Sequence, residues 1–214
     1  ANIQNVACLV PSKVLQQAYQ RDGLTAYTYH QFLLHKDHVQ RLYVDECFTF
    51  PLAYLKTIIQ LPNVEQVTFI GDPKQVGYID FEGNDSDDQD PAEWLLGLPT
   101  TTLVITYRCP LDVTTLLNKQ YGYMIRTASK ITRSINFNGP ITGQVIVFNQ
   151  SEKRGYDRSV TVHEAMGSTF PNVTLILTSD SNYLRMNSVA HQIVSLTRHT
   201  QTLNIVTSVP DVTI

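Results

Sequence analysis

Two short apolar runs in this chain each end abruptly in groups that could handle phosphate and metal. Arg41-Leu42-Tyr43-Val44 leads into Asp45-Glu46, and Val67-Thr68-Phe69-Ile70 leads into Gly71-Asp72-Pro73-Lys74-Gln75. A short apolar run of this kind reads as a buried parallel strand, so the charges fall at its carboxyl end. In open α/β sheets that edge is where ligands bind. Asp45 is suited to hold Mg²⁺ directly or through water, and Glu46 to polarise an attacking water. Gln75 is neutral, with both donors and an acceptor, so it can sense a terminal phosphate and that water together. An Asp-Glu pair alone reads equally well as a strand-end carboxylate capping the next helix. The second charged strand end, one βα unit later, favours the chemical reading.

These strand ends need a sheet to present them, and the flanking pattern supplies one. Val6 to Val10 is apolar enough for a buried strand. Pro11-Ser12-Lys13 then opens a helix through about Gln20, with Ser12 as its cap and Gly23 as its stop. Thr25 to Thr28 reads as a strand, and Tyr29 to Leu34 as a short helix. Pro51 to Ile59 has Pro at a helical first turn and apolar residues near a 3.6 spacing. The alternation of strands and helices predicts a parallel sheet with covered faces. Six acidic residues between Asp80 and Asp90 mark a solvated loop.

A second β-rich series follows, with the lobe boundary placed near Leu98 to Thr102. Thr102 to Thr106 reads as a strand ending in Tyr107-Arg108-Cys109-Pro110, and Leu111 to Tyr123 as a helix using Leu116, Leu117 and Tyr121. Short extended segments run from Lys130 to Asn149. Val173 to Leu177 and Leu203 to Val206 are the closing strands, and Arg198 follows the apolar stretch before the last of them. Standing alone, such an arginine reads as a helix-end cation near the macrodipole.

Composition bounds the rest. At 214 residues and 24.2 kDa the chain can bury a real core, and 43% hydrophobic with 16% charged residues describes an ordinary globular protein. No apolar run approaches the ~18 residues of a membrane span, and no signal peptide is visible. The absence of an initiator Met suggests a piece of a larger polypeptide. Cys8, Cys47 and Cys109 show no metal-ligand spacing and suit a reducing compartment. His30, His35 and His38 lack a matching Cys pair, so zinc is not expected. Residues 1–90 carry 6 Lys/Arg against 12 Asp/Glu, and residues 91–214 carry 10 against 7. An acidic half beside a mildly basic one fits two lobes with different tasks.

Taken in order, these motifs resemble the superfamily 1 RNA helicases of alphavirus-like positive-strand RNA viruses, closest to the hepatitis E-like and tobamovirus-like branches. Val44-Asp45-Glu46 looks like the Walker B motif, and Gly71-Asp72-Pro73-Lys74-Gln75 like the motif after it. Tyr107-Arg108-Cys109-Pro110, Thr161 to Phe170 and Leu196-Thr197-Arg198-His199-Thr200 resemble the remaining three, while Leu9-Val10-Pro11-Ser12 resembles the motif that follows the P-loop unit. The resemblance implies an α/β fold of two RecA-like lobes with mainly parallel sheets. Residues 1–100 would form lobe 1, incomplete at its N-terminus, and residues 101–214 lobe 2.

It further implies ATP and Mg²⁺ as cofactors, with Asp45 on the metal and Glu46 orienting water. Gln75 would contact the γ-phosphate, and Arg108 and Arg198 would be arginine fingers. Asp72, Glu164 and Gly167 would lie near the nucleotide. On resemblance alone, Ser12, Thr28, Thr161, His163 and Thr169 are candidates for RNA contact. The implied partners are single-stranded RNA or an RNA duplex and other replicase domains, a methyltransferase and a polymerase, in replication complexes of the host cytoplasm. The implied activity is NTP-dependent RNA unwinding or translocation, extending in such viruses to RNA 5′-triphosphatase.

Two departures stand out. Met166 occupies a place where the family more often has Gln. No Gly-x-x-x-x-Gly-Lys-[Ser/Thr] occurs anywhere in the sequence. In the family that loop lies one helix before the strand resembled by Val6 to Val10, so it is expected upstream of Ala1, and residues 1–214 alone are expected to be inactive. The alternative is a non-hydrolysing RNA-binding module like a helicase-derived movement protein. Retention of Asp45, Glu46, Gln75, Arg108 and Arg198 together argues against that alternative.

Overall fold

The computed structural model describes residues 5–35, 39–79 and 89–208. His38 and most of the expected acidic loop, residues 80–88, lie outside them. The chain divides into two compact units, Ala1–Thr100 and Thr101–Ile214.

The first unit is built on four short strands. They are β1 (Val6–Val10), β2 (Ala26–Thr28), β3 (Arg41–Val44) and β4 (Gln66–Phe69), in the order β2-β1-β3-β4 and parallel throughout. Of these β1 is the most apolar and most buried, and β3 alternates exposed and buried residues. Helix α1 (Lys13–Arg21) starts where Ser12 Oγ accepts the Leu15 amide, and Arg21 complements the dipole at its end. Helix α2 (Tyr29–His35) leads back towards β3. In α3 (Leu52–Ile58) Pro51 occupies the cap position, one residue before the helical turn expected for it. Helix α4 (Ala92–Leu96) closes the unit. Leu9, Phe32, Leu42, Val44, Phe50, Leu55 and Ile58 form the core, all essentially sealed. Each such side chain contributes about 1.5–3 kcal/mol by leaving water.

The second unit holds β5 (Ile105–Thr106), α5 (Leu111–Tyr121), β6 (Arg126–Thr127), β7 (Ile135–Phe137), β8 (Gln144–Val147), β9 (Val160–Thr161), β10 (Phe170–Leu177), α6 (Asn182–Asn187), α7 (Val189–Leu196) and β11 (His199–Thr207). Its main sheet runs β7-β11-β10-β8-β9, again all parallel, with the long strands β10 and β11 paired near its centre. The strand expected over Thr102 to Thr106 shrinks to two residues, because its partner β6 is only two residues long. Leu103 and Ile105 are correspondingly exposed. Helix α5 stops at Tyr121, before a left-handed Gly122, and it buries Val113, Thr114 and Leu117 rather than Leu116. Among the described residues no helix is long and apolar enough to cross a membrane.

Candidate functional site

Strands β3 and β4 run in register, Val44 opposite Phe69, so their charged extensions leave the sheet side by side. The ladder continues beyond them. Ile70 N donates to Val44 O (2.8 Å), Cys47 N to Ile70 O (2.9 Å), and Asp45 N to Leu9 O on β1 (2.9 Å). Asp45 Oδ2 accepts the Tyr19 hydroxyl at 2.6 Å, its one side-chain hydrogen bond among the described residues. Glu46 then adopts a left-handed backbone, φ 51° and ψ 44°, which costs an L-residue about 1–2 kcal/mol. Its carbonyl is held by Thr49, through N (2.9 Å) and Oγ1 (2.7 Å). The conformational break therefore falls between the two adjacent carboxylates.

Gly71 makes the approach of the second loop possible. A Cβ there would meet Phe48 Cδ2 at 2.9 Å and Cys47 Sγ at 3.0 Å. Asp72 then organises its own loop, Oδ1 accepting from Lys74 N (3.0 Å) and Oδ2 from Gln75 Nε2 (3.1 Å). Expected beside a nucleotide, Asp72 is seen here holding Gln75. Burial, then the Glu46 charge, pushes the Cys47 thiol up to about 12, and burial raises Cys8 as well. Neither offers a thiolate nucleophile near neutral pH. Ser12 and Thr28 follow or end β1 and β2, so they share this carboxyl edge with Asp45 and Gln75.

Carboxylates at a sheet edge are the hard oxygen donors Mg²⁺ prefers, and one or two suffice when phosphate oxygens complete the shell. Asp45, fixed through a single oxygen, fits that role. Groups of three or more His, Cys, Asp or Glu side chains suited to a metal are absent among the described residues.

The second unit sorts its expected residues to opposite edges of its sheet. Arg108 leaves β5 with its amide on Thr106 Oγ1 (3.3 Å) and Nη1 donating to Thr169 Oγ1 (3.2 Å). Arg198 is 1% exposed, with Nη2 donating to Thr197 Oγ1 at 2.9 Å. Thr169 directly precedes β10 and Arg198 directly precedes β11, so both stand at the amino edge.

Thr161, His163 and Glu164 lie at the other end. Val160 is level with Ile146 and hence with Leu175, five positions up β10 from Phe170, roughly 16 Å along the strand. Glu164 Oε2 accepts Lys153 Nζ (2.8 Å) and Thr161 N (2.8 Å), and Oε1 accepts Gln150 Nε2 (3.0 Å). Partial burial works against its ionisation, but the Lys153, Thr161 and Gln150 bonds with the Lys153 charge outweigh it and hold the carboxyl at about 2. Burial lowers His163, opposed by Glu164, so it is neutral near pH 7. Gly167 turns the chain back with φ 70°.

Two of the residues expected at RNA make hydrogen bonds within the chain. Thr161 is 4% exposed and its hydroxyl accepts Glu164 N, so it holds a turn. Thr169 holds Arg108. Glu164, expected near nucleotide, is bound to the segment Gln150–Gly155 and is not brought to Arg108. Met166 is buried in the core, which explains an apolar residue at a place where a polar one is commoner.

Sequence reasoning missed Tyr19, Asp112 and Ser134. Asp112 Oδ2 accepts from Ser134 N (2.6 Å) and Ile135 N (3.1 Å), and Oδ1 from Ser134 Oγ (2.8 Å). Ser134 Oγ also lies 2.9 Å from Nε2 of the fully buried His199. These contacts span 22 and 65 residues, and no local pattern announces them.

The chain is 37% identical over 193 residues to the non-structural polyprotein pORF1 of hepatitis E virus genotype 2 (isolate Human/Mexico), covering 90% of this chain and 11% of the polyprotein. It is 37% identical over 199 residues to pORF1 of avian hepatitis E virus (isolate Chicken/California/Meng), covering 92% and 12%. The chain thus spans about a ninth of the curated relatives it matches. In structure it resembles the PRRSV helicase, with a TM-score of 0.72 at 16% identity over 99% of this chain and 49% of that one. It also resembles arterivirus non-structural protein 10 (helicase) in complex with DNA, at 0.67 and 18% over 95% and 54%. At those identities the likeness establishes the fold, a RecA-like α/β architecture with mainly parallel sheets. The viral superfamily 1 RNA helicase core domain matches residues 2–207, and the chain belongs to that family.

Proposed function

We propose that this chain forms most of the catalytic core of an NTP-driven RNA helicase within a viral replicase, coupling ATP hydrolysis to unwinding or translocation. The observation that carries the reading is the pairing of β3 with β4, which delivers Asp45-Glu46 and Asp72-Gln75 to one sheet edge. Asp45 would hold the Mg²⁺ that accompanies the nucleotide, and Mg²⁺ supplies neutralisation of phosphate charge. Glu46 accepts a proton from the attacking water, and Gln75, steadied by Asp72, orients that water against the terminal phosphate. Arg108 and Arg198 stabilise charge developing on the transferred group. Gly167 lies in the turn that shapes this side of the second unit.

RNA is the proposed track, with Ser12, Thr28, Thr161, His163 and Thr169 as its proposed contacts. Relatives that are viral non-structural polyproteins, and a structural neighbour solved with DNA, support nucleic acid as partner. The same site suits RNA 5′-triphosphatase chemistry, which breaks the same class of bond. Other replicase domains, a methyltransferase and a polymerase, are the proposed neighbours, in replication complexes of the host cytoplasm.

The test is RNA-stimulated ATP turnover by the parental protein, which must supply the phosphate-cradling loop absent from residues 1–214. Glu46→Gln should abolish turnover while ATP·Mg²⁺ still binds. Parental turnover in that variant would remove Glu46 from the chemistry, and no turnover by the parental protein itself would favour the non-hydrolysing binding module.

A further inference from the structure

One closed circuit of hydrogen bonds and short chain segments joins the two arginines of the second unit. Arg108 Nη1 donates to Thr169 Oγ1 at 3.2 Å. The next residue, Phe170, donates its amide to the Arg198 carbonyl at 2.9 Å. Arg198 runs directly into His199, whose Nε2 lies 2.9 Å from Ser134 Oγ. Ser134 Oγ donates to Asp112 Oδ1 at 2.8 Å, and Asp112 stands in the first turn of α5. Buried Cys109 and Pro110 carry the chain from there back to Arg108.

Proton counting fixes the direction of this circuit. An ionised Asp112 can only accept, so the single Ser134 proton goes to it. Ser134 must then accept from His199, which carries its proton on Nε2. An Asp112 carboxylate with three further amide donors, from Val113, Ser134 and Ile135, has every reason to stay ionised. Ser134 is 1% exposed and sits where a methyl group would leave both neighbours without this partner. Its location is what distinguishes it from ordinary core polarity. Each residue it joins is near an arginine in sequence, His199 one after Arg198 and Asp112 four after Arg108.

We propose that Ser134, acting through His199 and Asp112, is a positioning residue that keeps Arg108 and Arg198 in fixed relation for phosphoryl transfer. The inference rests on the ATP-hydrolysis reading given above. Ser134 touches no reacting atom. It ties the start of α5 to the starts of β7 and β11, and thereby ties one arginine-bearing segment to the other. A misplacement of about 1 Å in such a pair can cost on the order of 10²-fold in rate.

The experiment uses the parental protein and measures kcat and KM for ATP together with thermal melting. Ser134→Ala should lower kcat at least about 10-fold with KM within about twofold of parental, because positioning acts on the transition state. Ser134→Thr, which restores a hydroxyl, should recover most of the rate. Should Ser134→Ala fail to fold, Ser134→Cys must show the same lowered kcat at unchanged KM. Parental kcat in Ser134→Ala, or in Ser134→Cys in that case, beside a large loss in Arg108→Ala, overturns the relay and leaves the hydrolysis reading intact. A loss in Ser134→Ala that Ser134→Thr does not recover also overturns it. If Arg108→Ala itself turns over normally, the hydrolysis role of the arginine fails first and the relay fails with it.

Discussion

Tyr19, on the first helix, donates its hydroxyl to Asp45 Oδ2 over 2.6 Å, although the two lie 26 residues apart. The contact fixes the carboxylate at the edge where β3 ends. It involves only one of the two carboxylate oxygens, so the other is the proposed ligand to Mg²⁺. Burial, then the hydrogen bond and charge of Asp45, raises the phenol pKa above its ordinary value of 10, so the donor keeps its proton throughout the neutral range.

Tyr19→Phe keeps the ring and removes that donor. Partners that orient a metal ligand are typically worth 10–100-fold in metal affinity, so half-saturating Mg²⁺ in the ATPase assay should rise about 10-fold. The same variant should change the alkaline limb. A phenol whose folded pKa is raised contributes stability that is present below pH 10 and is lost above it. Melting curves above pH 10 should therefore fall less steeply in Tyr19→Phe. An unchanged Mg²⁺ titration would remove Tyr19 from the metal site.

Glu46 combines a strained backbone with the proposed proton acceptor. Glu46→Gln should stall hydrolysis with ATP·Mg²⁺ and RNA still bound, because shape survives and the basic oxygen does not. Glu46→Gly should be equally inactive, yet no less stable. Relief of the left-handed strain offsets the extra freedom of glycine in the unfolded chain, for a net gain of up to about 1 kcal/mol. A marked drop in Tm for Glu46→Gly would mean that the Glu46 side chain is holding the fold.

The two arginines should separate in a parallel experiment. Arg108→Ala and Arg198→Ala are each expected to lower kcat about 10²-fold or more with far less effect on ATP affinity. Their melting behaviour should differ. Arg108 is only half-buried, so Arg108→Ala should melt within a few degrees of parental. Arg198 is among the largest fully buried side chains, and truncating it leaves a cavity and deprives Thr197 Oγ1 of a donor. A loss of about 2–4 kcal/mol is expected there. Wild-type kcat in either variant would return that residue to purely structural duty.

How far the sequence disclosed these sites depended on how local each signal was. The ends of β1, β3 and β4 were legible because each short, largely apolar run stops abruptly at polar or charged residues. Ser12 announced α1 because capping is settled within three residues. The run from Thr102 was misleading. Its apolar residues promised a full strand, but strand length is set by a partner, and β6 provides two residues. Glu164 and Thr169 lie five residues apart in one motif and were expected at different ligands, nucleotide and RNA, but their separation in space is not written in so short a stretch. The turn between β9 and β10 crosses the length of the sheet and delivers them to opposite ends. Ser134 gave no signal at all, since a single serine before a short extended segment has no period, and its partners are remote in the chain.

Acid should unfold the protein in two overlapping steps that two substitutions can separate. His199 is fully buried, and burial, together with Arg108 and against the attraction of Asp112, lowers its pKa from 6.5 to about 4. Between those values the unfolded chain binds a proton that the folded chain does not, so stability falls as pH drops from about 6.5 to about 4. Over that interval the lost stability is on the order of 2–3 kcal/mol. His163 and His191, also lowered chiefly by burial, add to the same limb. Glu164 behaves differently. Its carboxyl is depressed from 4.5 to about 2, so its contribution is complete above pH 4.5 and is lost as pH falls towards 2. The Lys153–Glu164 pair is partly exposed, 30% and 38%, and screening keeps its worth below about 1 kcal/mol. Chemical denaturation of residues 1–214 at a series of pH values reads both steps. His199→Gln should flatten the slope between pH 6.5 and 4 and leave the lower limb alone. Lys153→Met should flatten only the slope below pH 4.5, and its effect should vanish in high salt. If His199→Gln left the upper slope unchanged, the buried imidazole would not be neutral in the folded state, although as an imidazolium it would still donate from Nε2 to Ser134.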